Sequence, residues 1–333
     1  MVQPKILEEP PEPIKQELTQ LQKDLDAAIP RKVLDENLLI ATWNLRAFGD
    51  LTEKWERDEE DSPKRNLHAL RCIAEIVQRF DVIAIQEVRG NIKALRHMLK
   101  VLGHSWGFVL TDVTKGDSGN MERMAFLFDT RKVQMSGLAC ELVIPPELLK
   151  KVGEDALREQ FARTPYAVSF RTVGSPIKKP KTFILVTLHV IYGKDAATRK
   201  PELLMISKWL SDWAKDINGF DQNLITLGDF NIDRMDDELY KAFTSTGLRA
   251  PDDLNRVPRT IFADPSNPQL NHFYDQIAWF TGESGVPALS LVYRSGGSFD
   301  FLKSALSSLE ITKLEKSYMI SDHLPLWVEF GVE

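Results

Sequence analysis

The chain has 333 residues, 43% of them hydrophobic and 27% charged, so it can bury a large core and is neither disordered nor fibrous. Lys and Arg total 42 against 48 Asp and Glu, a net charge of −6, which argues against a protein that holds nucleic acid through bulk positive charge. Its two cysteines, Cys72 and Cys140, build no disulfide framework or zinc cluster. The start, MVQPKILEEPPEP, lacks the apolar stretch of a signal peptide, and no apolar run approaches the roughly 20 residues needed to span a bilayer. A cytoplasmic protein without a membrane span is the expectation.

Residues 1–36 read as an N-terminal extension to a catalytic domain over 37–333. Glu8 to Pro13 carries three prolines and is predicted to be extended. Ile14, Leu18, Leu21 and Leu25 then form one helical stripe, which Pro30 ends. Two heptads fall short of a coiled coil, so this helix is expected to dock on its own domain, and it leaves the oligomeric state open. From Leu38 onward short apolar runs alternate with helical segments. The runs are Leu38 to Trp43, Val82 to Ile85, Ala125 to Phe128, Phe183 to Leu188, Leu224 to Leu227, Phe273 to Phe280 and Leu324 to Phe330. They are too short for helices and read as buried strands. Leu70, Ile73, Val77 and Phe80 mark one helix; Leu203, Ile206, Leu210 and Trp213 mark another, with Pro201 placed in its first turn. Asp50 to Arg65 and Glu141 to Pro165 read as long surface connections, the second with a short helix.

The apolar runs end abruptly in polar residues. Trp43 is followed by Asn44, Ile85 by Gln86-Glu87, Leu188 by His189, and Leu227 by Gly228-Asp229-Phe230-Asn231. Asp275 lies in another run, and Asp322-His323 precedes the last. A single Asp after a strand is usually a turn or cap residue. Six such junctions, gathered at one rim, would instead make a dense set of oxygen ligands with two imidazoles. Carboxylate and amide oxygens without thiolates favour Mg²⁺, Mn²⁺ or Ca²⁺ over zinc. Such an ion beside histidines suits phosphoester hydrolysis. There is no Walker loop, so phosphate binding would fall to the metal and side chains.

The segments LLIATWNLRAFG, RFDVIAIQEVRG, SGNMERMAFLFD, ILVTLHV, ITLGDFN, HFYDQIAWF and MISDHLPLWVEF occur, in that order, between residues 37 and 331. In this they resemble the endonuclease/exonuclease/phosphatase superfamily, and most of all its deoxyribonuclease I branch. The resemblance implies a four-layer α/β sandwich, two mixed sheets face to face with helices outside and the site on one rim. It implies a divalent-metal-dependent phosphodiesterase, a DNA endonuclease first, with a phosphatase or phosphodiesterase for a small or lipid phosphoester as the alternative. Mg²⁺ or Mn²⁺ would be the cofactor, with Ca²⁺ also admissible. By the same resemblance Glu87 is the main metal ligand, completed by Asn44 and Asp322, while Asp229 and Asn231 face the phosphate and attacking water, with or without a second metal. His189 and His323 flank the scissile phosphate, Glu122 orients His189 and Asp275 orients His323; which group is the base stays open. Arg89, Arg163 and Asn44 are implied substrate contacts, with Arg123 equally readable as a salt-bridge partner of Glu122.

Three departures stand out. The secreted enzymes of that branch have a cysteine pair where Glu141 to Pro165 has none, which fits a reducing compartment. Their minor-groove aromatic is Asn120 here, and the insertion after Gly49 holds Asp58-Glu59-Glu60-Asp61. Both weaken the case for duplex DNA and leave room for a smaller substrate.

Overall fold

The computed structural model describes residues 5–114, 120–146, 160–174, 178–216 and 221–332. Twelve strands among these form two six-stranded mixed sheets. The first contains β1 (Asn37–Phe48), β2 (Val82–Arg89), β3 (Trp106–Leu110), β4 (Glu122–Asp129), β11 (Val292–Ser298) and β12 (Leu326–Gly331), in the order β11-β12-β1-β2-β4-β3. The second contains β5 (Val133–Glu141), β6 (Tyr166–Thr172), β7 (Thr182–His189), β8 (Leu224–Asp229), β9 (Leu248–Arg249) and β10 (Asp275–Phe280), in the order β5-β6-β7-β8-β10-β9. β1 runs parallel to β2 and β7 parallel to β8; the remaining pairs are antiparallel.

Alternation along β1 shows how the layers form. Leu38 and Ile40 point into the core between the sheets, where they join Phe126, Phe170, Leu185, Ile225 and Ile277. Leu39, Ala41 and Trp43 point the other way, under the helices α1 (Glu12–Ala28), α2 (Leu67–Val77) and α3 (Lys93–Leu102). Outside the second sheet, α4 (Ala196–Lys215) and α5 (Glu238–Thr244) cover Val186, Leu188 and Phe230. Both faces of the central strands are thus buried, which is why they read as continuous apolar runs rather than alternating ones. The four-layer α/β sandwich is as expected. Two short helices, α6 (Asp252–Asn255) and α7 (Lys313–Met319), complete the connections.

Several local expectations need correction. Glu12 and Pro13 open α1 instead of preceding it, because proline needs no amide donor in a first turn. Pro201 lies inside α4, which starts five residues earlier, capped by the Asp195 carboxylate on the Thr198 amide. β10 begins at Asp275, two residues later than its apolar run. The Asp50 to Arg65 connection is not wholly superficial, since Arg65 is buried. His68 is buried against Glu17 of α1. For the other connection, residues 147–159 and any helix there lie outside the described residues. α1 does dock on its own domain: Ile14, Leu18, Leu21 and Leu25 are buried in one cluster with α2.

Candidate active site

Strand register assembles the rim. In the second sheet His189 of β7 pairs with Asp229 of β8, and Asp229 pairs with Asp275 of β10, so three polar side chains stand abreast. In the first sheet Asn44 pairs with Gln86, while Arg89 pairs with Glu122 across β2 and β4. A β-bulge interrupts β2 at Glu87, whose φ of 59° lies in the left-handed region. A bulge re-aims one side chain, and backbone strain of this kind gathers at functional positions. Gly228, at φ 144°, brings β8 close to β7: a Cβ there would sit 2.1 Å from the Leu188 carbonyl oxygen. The glycine of GDFN is therefore required by the close approach that sets His189 beside Asp229.

Two carboxylate–imidazole pairs converge on Asp229. His323 Nδ1 lies 2.7 Å from Asp275 Oδ2, and its Nε2 lies 3.9 Å from Asp229. His189 Nδ1 lies 3.2 Å from Glu122 Oε2, and its Nε2 lies 3.7 Å from Asp229. All five groups are buried. Burial pushes Asp275 up and works against a charged His323, but Asp275 first, then Asp229 and Asp322, lift the imidazole to about 10. Burial likewise opposes ionisation of Asp229, yet His323 and His189 outweigh it and hold the carboxyl below its usual range. Glu122 is also held low: against burial stand His189, Arg163 and Arg89.

Asn44 links the sheets, since its Nδ2 donates to Asp229 at 2.9 Å and to Glu87 at 3.2 Å. Glu87 also accepts the Ala47 amide at 2.8 Å. An amide group thus stands between two carboxylates where positive charge is favoured, and Asn44 Oδ1 is buried with no partner. An orphaned amide oxygen beside two carboxylates fits a hard divalent cation. Asp322 is half-buried and faces Arg46 at 3.5 Å. Among the described residues, the trio of metal-capable groups lying within 4.8 Å of one another is Glu17, His68 and Cys72, away from this rim. Asn231, at φ 49°, donates its Nδ2 to the Val190 carbonyl and its backbone N–H to Asp229 Oδ1, so it braces Asp229.

The arginines divide. Arg163 Nε donates to Glu122 at 2.6 Å, and its Nη1 is buried without a protein partner. Arg89 lies 3.2 Å from Glu122 and 3.7 Å from Glu87, and donates to the Asn120 carbonyl. Glu122 is thus held by His189, Arg163 and Arg89 rather than by Arg123. Arg199 is spent on Asp233 and on the Asn231 carbonyl, not on the open rim.

Sequence reasoning missed two supports. Asn120, read only as a lost aromatic, donates to Glu122 at 2.6 Å. Arg65 donates to the carbonyls of Arg46, Ala47, Met319 and Ile320, clamping the loop after Asn44 to the segment before Asp322. No motif announces a clamp that recognises only backbone.

The model of the Endonuclease/Exonuclease/phosphatase family matches residues 41–323, from β1 to His323. The chain belongs to this family. It is accordingly a phosphoester hydrolase, of a family whose members generally depend on a divalent metal. Rat deoxyribonuclease gamma is 26% identical over 308 residues, covering 89% of this chain and 85% of that protein. Bovine deoxyribonuclease-1 is 26% identical over 305 residues, covering 88% and 92%. A deoxyribonuclease of Thioalkalivibrio is 28% identical over 202 residues, covering 59% of this chain but only 46% of its own length. Among solved structures, a mannosyl-6-phosphatase of Bacteroides thetaiotaomicron superposes with a TM-score of 0.55 at 19% identity, covering 88% of this chain and 99% of that one. That likeness is one of fold. No helix among the described residues is long and apolar enough to cross a membrane.

Proposed function

We propose that this family member is a DNA endonuclease that uses Mg²⁺ or Mn²⁺ to hydrolyse a phosphodiester held between His189 and His323. The observation that carries the reading is the convergence of two imidazole–carboxylate pairs on Asp229, at 3.7 and 3.9 Å. Glu87 and Asn44, with Asp322 at the rim, are the residues that would hold the ion, and such an ion draws charge from the phosphoryl oxygens. Asp275 fixes the His323 ring, so that Nε2 faces the phosphate as a proton donor. Glu122, 3.2 Å from His189 Nδ1, is the carboxylate that would orient His189 in the same way. Asp229, ionised and braced by Asn231, is placed to orient the attacking water and take its proton. The buried and unpartnered Nη1 of Arg163 suits a phosphoryl oxygen, since an arginine fork already anchored on one carboxylate has a second arm to give.

DNA is preferred because deoxyribonucleases recur among the relatives that align over most of this chain. The acidic insertion does not oppose it strongly: Lys54 pairs with Asp61 at 2.7 Å and with Asp58 at 3.9 Å, and Arg57 engages Glu315. Nicking of supercoiled plasmid with Mg²⁺ or Mn²⁺, abolished by EDTA, is the expected result. Brisk turnover of sugar phosphates or lipid headgroup phosphates with an intact plasmid would replace DNA by a small phosphoester while leaving the hydrolase assignment standing.

A further inference from the structure

Beside the reaction centre three rings stack in sequence. Tyr274 lies on His323 with centroids 5.6 Å apart, and His272 lies on Tyr274 at 4.4 Å with only 13° between planes. The stack leads outward from a buried imidazole to one whose side chain is 44% exposed. His272 is held by its edge, with Nδ1 3.4 Å from Arg234 and 3.7 Å from Asp233, so its outer face is open. With Phe273 it lines a groove of about 330 Å³ whose lining also includes Pro258, Pro265, Pro268, Asn255 and Arg256. Tyr192, whose charge acts on Tyr274, is 62% exposed. A string of aromatic rings ending in an apolar groove has no role in the proton transfers above. It is also more than the core needs, since its two ends are left in water.

We infer that His272 and its groove form a stacking subsite for an unpaired base of the nucleotide next to the scissile phosphate. The inference rests on the phosphodiesterase reading of the rim and names the substrate feature that the rim itself does not read. Stacking on a planar side chain is tolerant of base identity and serves single-stranded or locally opened nucleic acid. It would supply the aromatic contact missing at Asn120 from another side of the site. Burial and the neighbouring Arg234 keep the His272 imidazole below its ordinary titration range, which favours a neutral ring that stacks as an aromatic and adds no charge. The prolines of the groove give rigid apolar surface for a base, and Asn255 and Arg256 offer donors to its edge.

The test compares a single-stranded oligothymidylate with an oligomer of equal length whose sugars carry no base. The readout is the ratio of kcat/KM for the two substrates. The wild-type enzyme is expected to favour the base-bearing strand, and His272→Ala to lower the ratio about five- to tenfold, mostly through KM, as expected for loss of one base stack. His272→Phe is expected to restore it, which a merely structural role for the imidazole edge would not allow. An unchanged ratio in His272→Ala, or equal losses on both oligomers, overturns the subsite. Absence of hydrolysis of either oligomer by a wild-type enzyme that nicks plasmid overturns the subsite alone, whereas an intact plasmid as well overturns the phosphodiesterase reading and the subsite with it.

Discussion

Arg65 spends a guanidinium on four backbone carbonyls, and burial lowers it to about 10 against the opposing pull of the Glu87 carboxylate. Removing the head group strands those carbonyls in a dry interior. Arg65→Met is therefore expected to cost roughly 3 kcal/mol, seen as a lower denaturant midpoint, and to loosen Asn44 and Asp322 together. Asp275 differs: its Oδ2 orients His323, and its charge also faces the buried Arg259. Asp275→Asn should lower kcat by ~10²–10⁴-fold and, because it breaks a buried ion pair, also lower the melting temperature; a near-normal kcat in the folded variant would remove the pair from the chemistry. These two residues also mark what could be read from the linear chain. Asp275 and His323 sit in strings whose order is distinctive, so their meeting was foreseeable. Arg65 binds main chain only, and His272 acts through the orientation of a ring, properties that leave no trace in composition or spacing.

Among the elements, α1 carries the clearest energetic prediction. Its apolar stripe was visible at helical spacing, but not what it rests on. The Glu17 carboxylate accepts from His68 at 2.8 Å and from the Leu306 and Ser308 amides, tying α1 to α2 and to the turn before α7. Burial raises Glu17, yet His68 and Ser308 prevail and bring it to about 2 from an ordinary 4.5. Because the folded value is depressed, this contribution is complete above about pH 4.5 and is lost as pH falls toward 2. Glu17→Gln is expected to cost about 3 kcal/mol at neutral pH and to flatten the acid limb of the stability curve. An acid limb as steep as that of the wild type would show that the carboxylate is not the anchor. Leu21, fully buried, gives an independent check: Leu21→Ala should lose roughly 2–5 kcal/mol by chemical denaturation.

At the scale of the molecule, two sheets each deliver half of the site, and neither half is sufficient. Asn44, Glu87 and Glu122 come from the first sheet; His189, Asp229 and Asp275 come from the second. Continuous apolar runs revealed that both faces of the strands are covered, and hence the layers. What those runs could not reveal is the gap between the carboxylates, because that distance follows from sheet twist and a bulge at Glu87. A negatively charged enzyme with a few local arginines should bind its polyanion weakly, so plasmid cleavage is expected to fall with added salt mainly through KM. The direct measurement is anomalous scattering from crystals soaked in manganese. The account predicts a peak within coordination distance of Glu87 and Asn44, facing Asp229. No density there at saturating manganese, or a peak confined to Glu17, His68 and Cys72, would contradict it.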